Sequence, residues 1–326
     1  MNWKSVCRLF NFVSFLVVSL AGPSSSKRRK LNIPDSKRRF YNALKIAAIQ
    51  DDVLQLPSGV TFLGESLPSK LYVREAYKDL HSLMHDAFPQ DNILVVGNPG
   101  TGKSFFALYE MYRLLDKATI VYESVPFDLF MVLSADNITY AGDRLSKYDP
   151  EVEELLAEPE TYYLFDAGTG SNVFPYLVNA KTIVFSAPNR ANYVDYSKHA
   201  NPKILYMPVW TLDELNQVWT DSDEELQARY NIWGGIPRVI LGSNQSTVRI
   251  DKAIERMSLD LLLKLAQKLY EFDNLSHEIL HIHVGRDEEG KPNYEREDIF
   301  FASDYVKDKV FLRLGRNNSV PPIFRV

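Results

Sequence analysis

Asp91-Asn92-Ile93-Leu94-Val95-Val96-Gly97-Asn98-Pro99-Gly100-Thr101-Gly102-Lys103-Ser104 is the stretch on which the fold turns. Four apolar residues, Ile93 to Val96, run into a G-x-x-x-x-G-K-[ST] pattern, and a helical run follows from Phe105 to Leu115. A buried strand before the loop and a helix after it are the context that a phosphate-binding loop requires. Gly97, Gly100 and Gly102 permit positive φ and bring backbone N–H groups close to an anion. The helix N-terminus adds a partial positive charge at the same point. Lys103 is placed to reach the β- and γ-phosphates of a nucleotide and Ser104 to offer its hydroxyl to Mg²⁺. With Asn98, Pro99 and Thr101, the segment Gly97 to Ser104 is the candidate nucleotide-binding loop.

Downstream, apolar runs at Ala118 to Glu123, Phe127 to Leu133 and Ile138 to Ala141 read as strands, and Glu151 to Ala157 as a helix. Tyr162-Tyr163-Leu164-Phe165-Asp166 is a buried strand ending in a carboxylate, the pattern that orders Mg²⁺ through water beside a phosphate loop. Ser104 and Asp166 are therefore the expected metal pair. The next residue is Ala167, where many ATPases of the additional-strand class carry an acid that polarises the attacking water. Glu123 is a candidate base by position only; the alternative is an exposed acid at a strand end. Thr182 to Ser186 is a further strand, and Ser186 and Asn189 after it stand where a γ-phosphate sensor sits. Arg190 is an arginine finger acting in trans or a surface charge. Beyond a strand at Ile204 to Pro208, Thr211 and Glu214 in Trp210-Thr211-Leu212-Asp213-Glu214-Leu215 form a capping box. Gly234 and Gly235 stop the following helix. Arg238, after the Gly-Gly-Ile-Pro turn, is a candidate second sensor pointing back to the phosphates.

The chain has 326 residues, 45% hydrophobic and 24% charged, enough for one large α/β domain and a smaller one. A net charge of −5 excludes an overall basic field. The single cysteine, Cys7, excludes an internal disulfide. Residues 1–21 read as a signal peptide: a basic start, the apolar run Leu9 to Leu20, and small residues at Ser19 and Ala21. The run is short for a membrane span, so no stable membrane association is expected. Residues 22–40 read as a disordered basic arm, with seven Lys/Arg against one acid between residues 27 and 39. Its clusters, Lys27 to Lys30 and Lys37 to Arg39, read as a nuclear localisation signal bound by importin, or as a solvated arm.

Residues 41–90 form an N-terminal helical region: helical spacing from Phe40 to Gln50, a turn-rich stretch at 51–68, and an amphipathic helix over Tyr72 to Ala87. Arg74, Glu75, Lys78 and Asp79 are its solvated face, unless Arg74 turns to the nucleotide. The core spans residues 91–245 and a C-terminal lid residues 246–326. Asp251 to Glu271 reads as a lid helix with Leu261, Leu262, Leu265 and Leu269 on one side. His277-Glu278-Ile279-Leu280-His281 matches the H-E-x-x-H zinc-protease pattern, but Ile279 to Val284 alternates as a strand, which separates the two imidazoles. Phe300 to Val310 is strand or helix. Asn137, Asn244, Asn274 and Asn317 open N-x-[ST] sequons.

Taken in order, G-N-P-G-T-G-K-S, Y-Y-L-F-D, F-S-A-P-N, M-P-V-W-T-L-D-E-L and G-G-I-P-R resemble the ATPase module of Crinkler-type effectors and the related retrotransposon hot spot proteins. The resemblance reaches from L-Y-V-R-E-A-Y-K-D-L to S-H-E-I-L-H-I-H-V, about residues 70 to 310. It implies an α/β P-loop NTPase of the additional-strand, AAA/STAND-like kind: a parallel sheet flanked by helices, with a small C-terminal helical or α+β lid. It implies ATP and Mg²⁺ as cofactors, gives weight to Lys103, Asp166 and Arg238 as catalytic residues, and implies sites completed between subunits of a homo-oligomer. It also implies secretion followed by action in a host cell nucleus, on a host nuclear protein or DNA. Two departures stand out. The ubiquitin-like header of many members is replaced by the signal-like segment and basic arm, and Val326 follows the ATPase too soon to leave room for an Asp…Glu-x-Lys nuclease domain, so no nuclease activity is expected. Three readings remain: an ATP-dependent effector with slow hydrolysis, a nucleotide-gated interaction module without turnover, and a secreted zinc metalloprotease resting on His277 to His281.

Overall fold

The computed structural model describes residues 33–65, 67–87, 92–143, 149–168, 175–189, 193–242, 246–260, 264 and 277–316. The expected signal segment, Lys27 to Lys30, Arg190 and the sequons at Asn244, Asn274 and Asn317 lie outside the described residues.

The described chain begins with helix α1 (Asp35–Ile46), followed by an antiparallel meander of β1 (Ala48–Gln50), β2 (Val53–Gln55) and β3 (Lys70–Tyr72), then α2 (Glu75–Ala87). The arm expected to be disordered through residue 40 is therefore folded from Asp35 onward. Apolar spacing explains it, since Phe40, Tyr41 and Leu44 are buried on one side of α1. Lys37, expected in a solvated cluster, is also buried, donating to the Leu63 carbonyl at 2.7 Å and pairing with Glu65. The helix expected to reach Gln50 stops at Ile46, because Ala47 turns extended at ψ 151°. Asp51 and Asp52, with φ of 49° and 58°, then form the two-residue turn joining β1 to β2. Positive φ at both central positions matches the right-handed twist of a hairpin.

The core elements follow in order: β4 (Ile93–Val96), α3 (Lys103–Leu114), β5 (Ile120–Ser124), β6 (Leu129–Leu133), β7 (Ile138–Gly142), α4 (Pro150–Ala157), β8 (Tyr162–Gly168), β9 (Lys181–Ser186), α5 (Val194–Ala200) and β10 (Lys203–Tyr206). They build a seven-stranded sheet in the order β10-β4-β9-β8-β5-β6-β7. The first five strands are parallel and the last two antiparallel. Every residue of β4, β5 and β6 is buried, as expected of strands covered on both faces. Successive residues alternate between faces. Ile93, Val95, Tyr122, Leu164, Ile183 and Phe185 pack with Phe106 and Met111 of α3 and with α1 and α2. Leu94, Val96, Val121, Tyr163, Phe165 and Val184 pack with Val152 and Leu156 of α4 and Tyr196 of α5. Strand β9 lies between the loop strand β4 and the Asp166 strand β8, the arrangement for which the additional-strand class is named.

Beyond the sheet come α6 (Leu212–Asn216), α7 (Asp223–Trp233), α8 (Pro237–Ile240) and α9 (Val248–Arg256). The antiparallel pair β11 (Leu280–Arg286) and β12 (Pro292–Phe301) follows, then α10 (Asp304–Arg316). Ile250, Ile254, Ile279, Leu280, Val306 and Val310 form their shared apolar core. The single helix expected from Asp251 is interrupted at Met257, whose ψ of 129° is extended; Leu261, Leu262, Leu265 and Leu269 lie outside the described residues. Phe300 to Val310 is both things in turn, β12 ending at Phe301 and α10 starting at Asp304.

Candidate functional site

The loop after β4 is shaped by its glycines. Gly100 and Gly102 have φ of 89° and 102°, where a side chain is strained. Space forbids one as well, because a Cβ at Gly102 would stand 2.4 Å from the Tyr77 hydroxyl and one at Gly100 2.9 Å from Cβ of Arg238. Gly97 has another reason than the expected positive φ, since a Cβ there would lie 2.8 Å from the Met207 carbonyl oxygen. Helix α3 starts at Lys103 with Gly102 as its N-cap and no capping side chain. Its first N–H groups are thus left for an anion.

Lys103 is buried, and its Nζ donates to the carbonyls of Gly97 at 2.7 Å and Asn98 at 2.9 Å. Burial lowers its pKa from 10.5 to about 7, against the pull of Asp166 and with a small push from Arg238. Asp166, at the end of β8, is held by the hydroxyls of Ser104 and Ser124, the latter at 3.3 Å. Burial raises its carboxyl above the usual range, and the Ser104 bond and Lys103 oppose that. The hydroxyl of Ser104 and the carboxylate of Asp166 therefore converge beside the loop, a hard oxygen pair that fits Mg²⁺ with its remaining waters. Both line a cavity of about 930 Å³ with Pro99, Gly100, Gly102, Lys103 and Arg238. Leu71, Tyr72, Trp210, Val218 and Leu241 add apolar surface to its lining.

Other candidates stand elsewhere. The Asn98 side chain, expected at the nucleotide, reaches the other way: its amide donates to the Leu280 carbonyl at 3.0 Å and accepts from the Ile282 N–H at 2.7 Å. Thr101 is buried and donates to the Asn98 carbonyl at 2.9 Å. Ser186 ends β9 beside the loop, its carbonyl taking the Gly97 N–H at 3.3 Å, but its hydroxyl donates to the Ala187 carbonyl. Neither Ser186 nor Asn189 lines the cavity. Arg238 does, with its side chain exposed.

Glu123 is neither an exposed strand-end acid nor a base at the phosphates. It is fully buried and accepts from the Tyr163 hydroxyl. Its neighbour Ser124 reaches Asp166, so alternation turns Glu123 to the opposite face of the sheet. The zinc-protease reading falls as well. His277 to Ile279 is a turn and His281 sits in β11, so the two imidazoles are not one helical turn apart. No cluster of His, Cys, Asp and Glu able to hold a metal ion occurs among the described residues. His281 is a buried side chain whose pKa burial lowers to about 3.

Sequence reasoning placed Arg74 on a solvated face. It is instead fully buried between α2 and the loop. Its Nε and Nη2 donate to the two oxygens of Glu214 at 2.8 and 3.0 Å, and Nη1 and Nη2 to the carbonyls of Pro208 and Val209, each at 3.0 Å. Glu214 meanwhile completes the expected capping box, accepting from the Thr211 N–H at 2.9 Å. Nothing local in the sequence marks this role, since Arg74 stands just before α2 beside the acidic Glu75.

The sheet order, the loop and the carboxylate strand together define a P-loop NTPase fold of the additional-strand class. The chain is similar in sequence to Crinkler effector proteins. It is 23% identical over 251 residues to Crinkler effector protein 15 of Phytophthora infestans, covering 72% of this chain and 38% of that protein. It is 25% identical over 211 residues to Crinkler effector protein 16 of the same organism, covering 60% and 33%. The chain thus spans about a third of the length of the curated relatives it matches. No family model matches it. Among solved structures, the RuvB Holliday junction branch migration motor of Thermotoga maritima aligns over 62% of this chain and 72% of that one, at 16% identity and a TM-score of 0.33. A point variant of that motor aligns with a TM-score of 0.31. The fold assignment rests on the strand order and not on those alignments.

Proposed function

We propose that the chain is the nucleotide-binding module of a secreted effector, binding ATP with Mg²⁺ in the loop cavity and hydrolysing it slowly. The observation that carries this is the convergence on one cavity of an uncapped helix N-terminus, the Lys103 ammonium and the Ser104–Asp166 pair. Lys103 leaves the loop carbonyls for the β- and γ-phosphates, the α3 N–H groups take the remaining phosphate oxygens, and Arg238, which packs beside Gly100, reaches the phosphates from there. Ser104 and Asp166 would hold Mg²⁺, which would supply stabilisation of negative charge at the phosphates.

Slow turnover follows from what surrounds Asp166. Ala167 stands after it, Glu123 faces away, and among the described residues no other acid lines the cavity. The same observation favours a second reading, in which ATP binding alone orders a partner surface and no useful hydrolysis occurs.

Phosphate release from the protein without residues 1–21, compared with Lys103→Ala and Asp166→Ala, separates the two. Release in the wild type that both substitutions abolish upholds the ATPase. ATP binding without release leaves the gated module, and no binding overturns both. Action in a host cell nucleus is part of the proposal, through importin and on a nuclear protein or DNA. It rests on Lys27 to Lys30 with Arg38 and Arg39, since Lys37 is buried. Alanine at those six positions should remove nuclear accumulation, and unchanged localisation would refute it.

A further inference from the structure

The phosphate loop is gripped by two side chains that a third one holds. The indole N–H of Trp210 donates to the Thr101 carbonyl at 2.8 Å, and the Tyr77 hydroxyl donates to the Gly102 carbonyl at 2.9 Å. These are consecutive peptide groups of the loop. In a trans peptide the C=O and N–H point in opposite directions. Fixing the carbonyls of Thr101 and Gly102 on Trp210 and Tyr77 therefore also fixes the opposite-facing N–H groups of Gly102 and Lys103 at the start of α3. Those are the donors that an anion at the start of α3 would use.

Trp210 and Tyr77 come from segments far apart in the chain, and Arg74 ties them together. Its guanidinium lies 5.0 Å from the Trp210 ring and 5.9 Å from the Tyr77 ring. The same group is bound in a two-pronged contact to Glu214, one helical turn beyond Trp210, and to the carbonyls of Pro208 and Val209 just before it. A buried arginine is costly unless all its donors are used, and here they fix the segment that carries Trp210. The Trp210 backbone is held on another side by Gly235, whose carbonyl takes the Trp210 N–H at 2.9 Å and where a Cβ would fall 1.9 Å from the Trp210 carbonyl oxygen.

We infer that Arg74 is a positioning residue for the nucleotide phosphates, acting through Trp210 and Tyr77 to hold the loop N–H groups in place at the start of α3 before any ligand arrives. The inference rests on the nucleotide-binding reading above and adds to it where the affinity for the phosphates, as distinct from the nucleoside, originates.

The test uses the full chain and three probes, ATP, ADP and adenosine, with affinities measured by calorimetry. Tyr77→Phe keeps the ring and removes only its donor; Trp210→Phe removes the other donor and keeps an aromatic side chain, smaller by the pyrrole part of the indole. Two hydrogen bonds of about 1 kcal/mol each predict that ATP binds about thirtyfold more weakly. ADP should weaken nearly as much, while adenosine, which has no phosphate, should change less than about twofold. Arg74→Met, which keeps the bulk of the side chain without its charge, should show the same selective loss. Arg74→Lys should not restore binding, because an ammonium lacks the planar fork. A double-Phe variant that binds ATP like the wild type overturns the inference alone. So does an equal loss for ATP and adenosine, which would mark the rings as general packing. A wild-type chain that binds none of the three probes overturns the nucleotide reading and this one with it.

Discussion

Lys103 offers a prediction whose size follows from its surroundings. In the ligand-free fold its ammonium is buried against two carbonyls, and its pKa falls from 10.5 to about 7. The unfolded chain holds that proton up to its ordinary value, so between about pH 7 and 10.5 it binds more protons than the free folded state. Free folded protein therefore loses stability as pH falls through this window. Phosphates that pair with the ammonium reverse the balance and draw a proton onto it. At pH 8 only about a tenth of free Lys103 is charged, so ATP binding should take up about 0.9 proton there and about 0.1 at pH 6. Affinity should be about tenfold weaker at pH 8 than at pH 6, as the competent fraction falls. Calorimetry in buffers of different ionisation enthalpy measures the uptake. Lys103→Arg is the reference, because its guanidinium stays charged and protonation of ATP itself is common to both proteins. Equal uptake by wild type and Lys103→Arg at pH 8 would refute the reasoning.

Three further outcomes follow from particular contacts. Asp166→Asn removes the charge held by Ser104 and Ser124, so the gain in ATP affinity on adding Mg²⁺, measured as a ratio with and without the ion, should vanish while Mg²⁺-independent binding persists. Glu214→Ala leaves Arg74 buried without its counter-charge and should cost about 3–5 kcal/mol in denaturant unfolding, because an uncompensated buried charge is worse than none. A loss below about 1 kcal/mol would show that water reaches the guanidinium. Asn98→Ala strands the Leu280 carbonyl and the Ile282 N–H, a cost of about 2 kcal/mol. Hydrogen exchange should then rise selectively at Ile282, and unchanged protection there would count against the link.

Much of the site was legible because its elements are local. The run Ile93 to Val96, the glycines, Lys103 and Ser104 are contiguous, and a strand, a left-handed turn and a helix N-terminus are set by nearest neighbours. Asp166 was legible for the same reason, as the end of an apolar run, and so was the Thr211–Glu214 capping box, which spans one turn. The H-E-x-x-H match carried little weight because spacing says nothing unless the segment is a helix, and the alternating apolar residues already marked a strand, which the structure has.

What the chain alone determined, then, was the order of buried strands and the phosphate-binding chemistry at the end of the first core strand. Tertiary structure decided which side chains support that chemistry. Arg74 meets Glu214 across 140 residues, and Asn98 meets Leu280 and Ile282 across 182 and 184. No local pattern encodes such partners. It also decided which face of the sheet each carboxylate serves: Asp166 opens to the loop, and Glu123 is turned away from it. The physical reason is that burial and pairing are properties of the closed fold. A charge at a given position reads the same in sequence whether it ends in solvent or at the centre of the molecule.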